Sequence, residues 1–160
     1  MNHKAWKTIE SIKHDNMFEC VKLLEKENYI VSHWIKDISK KIKSDVCKIK
    51  FPLELYRIKL SDLGLVKPTT LEEVYKAFDQ QDFEPIDPLI AINTRFIYDE
   101  QSTGEWLRIA VPFDSMIDSD GIPHLPKLGQ GLNLLFIETY WSYPGAIFHP
   151  HNDFVVQKKQ

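Results

Sequence analysis

The sequence predicts an α+β protein: a helical N-terminal segment, then a mostly antiparallel four- to five-stranded sheet with one principal helix. Three observations carry that reading. All nine prolines and six glycines lie between Pro52 and Pro150. Before Pro52, apolar residues recur at three- and four-residue steps, the helical period. After it, short apolar or alternating runs are separated by turn residues. The chain thus divides into an amphipathic helical segment, 1–50, and a compact α+β domain, 51–160.

The elements follow in order. Trp6, Ile9 and Ile12, then Met17, Cys20, Val21 and Leu24, predict helix over about Lys4 to Lys26, interrupted at His14-Asp15-Asn16. Asn16 with Glu19 three residues on forms a capping box for the second part. Asn28-Tyr29 marks a break, and Ser32 caps a further helix on which Ile35, Ile38 and Ile42 align. Short amphipathic helices must cover their stripes by packing. Leu53 to Leu60 alternates as a strand, and Ser61 to Gly64 is a turn. Thr70 with Glu73 caps the principal helix, with Leu71, Val74, Ala77 and Phe78 inward. Strands are expected at Leu89 to Tyr98, Glu105 to Pro112, Leu132 to Tyr140 and Phe154 to Gln157, the first two as a hairpin. Pro112 to Gly131 reads as a long loop, with a turn at Asp118-Ser119-Asp120-Gly121.

Composition narrows the function classes. The net charge of −3 divides into eleven lysines against seven acidic residues in 1–50, and nine basic against sixteen acidic residues in 51–160. Lys36, Lys40, Lys41, Lys43, Lys48 and Lys50 cluster without an arginine. DNA-reading helices use arginine on base edges, so a solvated helix face is favoured over a nucleic-acid surface. No apolar run reaches the ~18 residues of a membrane span, and Met1 to Lys13 is too polar for a secretory leader, so a cytoplasmic setting is expected. Cys20 and Cys47, without a CxxC partner, read as free thiols.

Candidate sites are few. Tyr140, Trp141, Tyr143 and Phe148 surround Pro144-Gly145, where aromatics either line a ligand slot or cover the end of the sheet. Arg57, Arg95 and Arg108, the only arginines, fall in predicted strands. If they share a face they form an anion site, and otherwise they are ordinary surface pairs. His149, His151 and Asp153 have the alternation that can converge on a metal, with His124 as a further ligand, against a proline-rich turn as the plain reading. Asp114, Asp118 and Asp120 lack the glutamate of a calcium loop, since Lys127 stands six residues past Gly121. Gly129-Gln130-Gly131 leads into a strand and reads as a loop without a phosphate-binding helix.

Residues Leu55 to Gly64, Thr70 to Tyr75, Gly104 to Ala110, Asp118 to Gly121 with Pro123, and Phe154 to Val156 resemble a family of small uncharacterised bacterial proteins. The resemblance spans about Leu55 to Val156 and implies no activity, cofactor or site residue. The expected function is a non-enzymatic binding or protein-interaction module without a cofactor. Arg57, Arg108, Tyr140, Trp141 and Tyr143 are its ligand-binding candidates. A protein partner or a second copy would meet the N-terminal helices. The alternative is a small metal-dependent hydrolase using His149, His151 and Asp153.

Overall fold

The N-terminal stretch opens with a strand, not a helix. In the computed structural model, which describes residues 3–42 and 48–160, Lys7–Ile9 (β1) pairs antiparallel with Leu53–Lys59 (β3). The Trp6 N–H donates to the Leu55 carbonyl at 2.7 Å, fixing the approach. Three apolar residues at a three-residue step cannot choose between the two periods over so short a run. The N-caps fare better, though the Asn16 N–H goes to His14 Nδ1 and not back to Glu19 as a full capping box requires. Asn16 accepts from the Glu19 N–H and opens Met17–Lys26 (α1), and Ser32 accepts from the Ile35 N–H and opens His33–Ser39 (α2). Between them Asn28 takes a positive φ and Ile30–Val31 (β2) runs parallel to Leu134–Trp141 (β8). Lys43 and Cys47 lie outside the described residues.

Thr70 caps Leu71–Asp79 (α3), preceded by Thr69–Thr70 (β4) and followed by Phe83–Glu84 (β5). The expected strand at Leu89 to Tyr98 is instead Pro88–Asn93 (α4) and a 3₁₀ turn at Thr94–Ile97. Asp87 caps α4 and Pro88 occupies its first turn, where a missing N–H costs nothing. Buried on every side, α4 shows no amphipathic period, which is why it imitates an interior strand. The predicted hairpin therefore does not exist.

The loop expected at 112–131 ends in a strand, His124–Gly131 (β7), which pairs antiparallel with β8 and with Trp106–Ile109 (β6). Ile147–Phe148 (β9) pairs with β4, and Asp153–Lys158 (β10) completes the set. The main sheet has eight strands, ordered β1-β3-β10-β6-β7-β8-β2 with β5 also on β10, and it curls into a half-barrel. It is mixed, since β6–β10 and β2–β8 are parallel. The expectation of a helical segment followed by four or five antiparallel strands and one principal helix is thus corrected: the fold is mostly β, with four short helices among the described residues.

Facing partners across paired strands share a side of the sheet. Leu55, Val155, Ile109, Leu107, Leu128 and Ile137 point one way and are fully buried. Ile58, Phe154, Arg108, Lys127 and Glu138 point the other way. On that second side Phe78 of α3 and Phe148 of β9 pack edge-on to Phe154. Ile9, Met17, Val21, Leu24, Ile35 and Ile38 belong to the same core as the strands, so their apolar stripe is covered within the chain. Among the described residues, no helix is long and apolar enough to cross a membrane.

Candidate functional site

Parallel pairing of β6 with β10 sets Asp153, the first residue of β10, opposite Leu107, the second of β6, and antiparallel β3 brings Arg57 to the same rim. Arg57 Nε donates to Asp153 Oδ2 at 2.7 Å, Nη2 to Glu105 Oε1 at 2.6 Å and Nη1 to the Tyr98 hydroxyl at 2.8 Å. The Tyr98 hydroxyl in turn donates to Glu105 Oε2 at 2.7 Å, closing a ring of charge-assisted bonds. Burial opposes the Arg57 charge, but the bonds to Glu105 and Asp153 outweigh it and hold the guanidinium above its ordinary pKa. Burial would raise Glu105, yet the bonds from Arg57 and Tyr98 hold it below the usual carboxylate range.

Arg108 lies one strand over and is left unpaired. Its guanidinium lies 5.6 Å from the Tyr140 ring and 5.8 Å from Phe148, and it makes no hydrogen bond or ion pair among the described residues. Its Nε and Asp153 Oδ1 are both withdrawn from solvent without a partner. Such groups are rare in native interiors and call for a cause. Lys127, the cross-strand partner of Arg108, places Nζ 4.4 Å from the Trp106 ring. Burial lowers the pKa of both cations, and for Lys127 the nearby Arg108 charge adds to it. Trp106 can lie flat because Gly129, directly across the ladder, has no Cβ; one there would fall far inside contact distance of the indole.

Arg57, Glu105, Trp106, Arg108, His151 and Asp153 line one cavity of about 310 Å³. Three groups of sequence candidates therefore meet in part. Both arginines, His151 and Asp153 converge, and Tyr140 joins through Arg108. Trp141 points to the opposite side from Tyr140, Tyr143 lies beyond the end of β8, and both are exposed. Arg95 is elsewhere, fully buried, donating to the Gly129, Phe136 and Tyr98 carbonyls and to Gln101. Sequence reasoning missed Tyr98, Glu105, Trp106 and Lys127. The alternation of Trp106 with Arg108 in the expected strand, and of Lys127 with Gly129, was the available signal, and reading 112–131 as a loop hid the second half of it.

The histidine–aspartate cluster takes a different form from a metal centre. The Asn152 side chain accepts from the His149 N–H at 2.8 Å, and the His149 carbonyl accepts from the Asn152 N–H at 2.9 Å, closing a tight turn. The His149 and His151 rings stack 5.8 Å apart, while Asp153 is held by Arg57. Among the described residues no three His, Cys, Asp or Glu side chains are grouped to hold a metal ion.

A second cavity, of about 270 Å³, is lined by Trp34, His124, Glu138, Thr139, Tyr140 and Trp141. At its base Asp118 Oδ2 is 2.8 Å from His124 Nε2, and His124 Nδ1 is 2.9 Å from the Thr139 hydroxyl. The Asp120 and Ile122 N–H groups donate to Asp118 Oδ1, leaving Oδ2 for the imidazole. Burial would raise Asp118, but the bonds from His124 and these amides set it below the usual range. Trp34 stacks on the imidazole at 5.4 Å. The turn at Asp118 was legible, whereas nothing in the sequence joined it to Thr139. Comparison with known proteins yields no counterpart: no family model, curated protein or solved structure matches the chain.

Proposed function

We propose that this chain is a binding module, non-enzymatic at the cavity between β3, β6 and β10, that takes a small ligand bearing an anionic oxygen on a flat apolar body. The observation that carries the reading is Arg108: a half-buried guanidinium beside two rings, opening on the cavity with no hydrogen-bond partner among the described residues. A carboxylate or phosphate oxygen supplies what it lacks. The exposed Trp106 face offers stacking area, and Lys127 adds a second positive charge at the edge. Arg57 is a positioning residue here, since its donors are occupied by Glu105, Asp153 and Tyr98. Among the described residues, no serine, threonine, cysteine or lysine lines this cavity, which favours binding over covalent chemistry there. The cytoplasmic setting expected from the sequence is kept within this proposal. Contact with a protein partner through the N-terminal helices is not kept, because the stripe that motivated it lies in the core.

Calorimetry and thermal shift with benzoate, phosphate and phenethylamine test the reading. Benzoate or phosphate is expected to bind and raise the Tm, and phenethylamine, which has no anionic oxygen, is not. A ligand at one hundred times its Kd adds ~2.7 kcal/mol of stability, so the shift is readily seen. Arg108→Met keeps the apolar stem and is expected to abolish binding. Equal binding by that variant, or none by either anion at millimolar concentration, refutes the proposal.

A further inference from the structure

The Asp118–His124–Thr139 chain lies apart from the binding cavity: the two cavities have no lining residue in common, and they meet only through Tyr140, which lines this one and carries Arg108 on its ring. Its connectivity is carboxylate to imidazole to hydroxyl, the arrangement that activates a nucleophile. Each member is fixed by something outside the chain. Two backbone amides hold Asp118, the Trp34 ring holds the imidazole, and the β7–β8 ladder holds Thr139. With Nε2–H donated to Asp118, Nδ1 is the acceptor for the Thr139 hydroxyl. The ladder also orients the backbone. Thr139 faces Pro126, which has no N–H, and the Ile137 carbonyl two residues earlier accepts from Ser32 on the outer side. By the alternation of antiparallel bonding, the Thr139 N–H points to that same outer edge, beyond Val31, the last residue of β2. It is therefore available as a hydrogen-bond donor beside its own hydroxyl.

We infer that Thr139 is a nucleophile for acyl transfer, with His124 as its base, Asp118 as the residue that positions His124, and a small ester as the substrate class. The Thr139 Oγ1 lone pair forms a bond to the ester carbonyl carbon while the hydroxyl proton passes to His124 Nδ1. The carbonyl oxygen takes the negative charge and accepts from the Thr139 N–H. Collapse of the tetrahedral adduct breaks the bond to the leaving oxygen, which takes the proton from Nδ1 and departs as an alcohol. Water then attacks the Thr139 ester, giving its proton to Nδ1. This second adduct breaks its bond to Oγ1, which takes the proton back from Nδ1; the carboxylic acid leaves and the threonine is regenerated, with no change of oxidation state. Trp34 and Trp141 supply aromatic walls for an apolar acyl or leaving group.

The test uses p-nitrophenyl acetate for turnover and a fluorophosphonate for irreversible labelling, with peptide mass spectrometry to locate the label. The full chain is expected to hydrolyse the ester and to carry the label on Thr139. Thr139→Val, which removes the hydroxyl and keeps the shape, is expected to lose at least tenfold in rate and all label. Thr139→Ser is expected to keep both, and His124→Gln to lose both. Hydrolysis by a folded Thr139→Val at the full-chain rate overturns the inference. So does the absence of label at residue 139 in both the full chain and Thr139→Ser, which leaves a chain of hydrogen bonds that only braces the 112–123 loop. Benzoate binding lost in Arg108→Met is read separately, so failure of one site is not failure of the other.

Discussion

Glu105 carries no motif and precedes its strand by one residue, yet it closes the Arg57 network through both oxygens. Its folded carboxyl holds a proton less tightly than an ordinary glutamate. The stabilisation is therefore full above the unfolded pKa and fades as pH falls through the lower, folded one. Glu105→Gln is expected to lower stability at neutral pH by about 1.5–3 kcal/mol, the worth of a charged hydrogen bond. The gap between variant and parent should close as pH falls past the ordinary glutamate range and through the lowered folded pKa. Thermal melts from pH 7 to pH 3 check this; a constant gap would show that Glu105 acts by packing alone. The site was legible only in pieces, and for a physical reason. Arg57, Arg108, His151 and Asp153 were each conspicuous in the sequence, but their convergence depends on β10 lying between β3 and β6. No local pattern encodes that placement.

At the scale of elements, local chemistry was the readable part. Asn16, Ser32 and Thr70 each accept from the N–H three residues on, as their capping spacing requires. The misread elements are those whose partners are distant: β1, paired with a strand 48 residues away (Lys7 with Leu55), and α4, enclosed on all sides. Strand β7 was hidden by its own proline and glycines. Pro126 is tolerated because its missing N–H has no ladder partner to meet, and Gly129 makes room for Trp106. Gly129→Ala is accordingly expected to push the indole off the strand and cost about 1–3 kcal/mol. A red shift in tryptophan emission should accompany the lower Tm, and weaker anion binding should follow. An unchanged spectrum would mean that the ladder moves instead of the ring.

For the whole molecule, the division suggested at residue 50 meets a core that draws on both sides of it. Ile9, Met17, Cys20, Val21, Leu24, Ile35 and Ile38 are at most 1 % exposed, and they pack with Leu55, Leu89 and Ile137 in one cluster. Burying each large aliphatic side chain contributes ~1.5–3 kcal/mol, so the segment supplies more than a typical domain's net stability. A compact domain at 51–160, as the proline and glycine distribution suggests, would fold without residues 1–50. The packing makes the opposite outcome the expected one: a truncation starting at Lys50 should show no cooperative thermal transition and should bind hydrophobic dyes. A sharp transition in that truncation would restore the two-unit division.

The central position of β10 has a consequence for how the chain is made. It is the last of the described strands to leave the ribosome, yet β3 and β6 are joined in the main sheet only through it. Until residues 153–158 emerge, the growing polypeptide holds two unsatisfied half-sheets, each with an open edge and an exposed apolar side. Synthesis in order therefore cannot complete the main sheet before β10 is available, and the edges of β3 and β6 stay open until that long-range pairing forms.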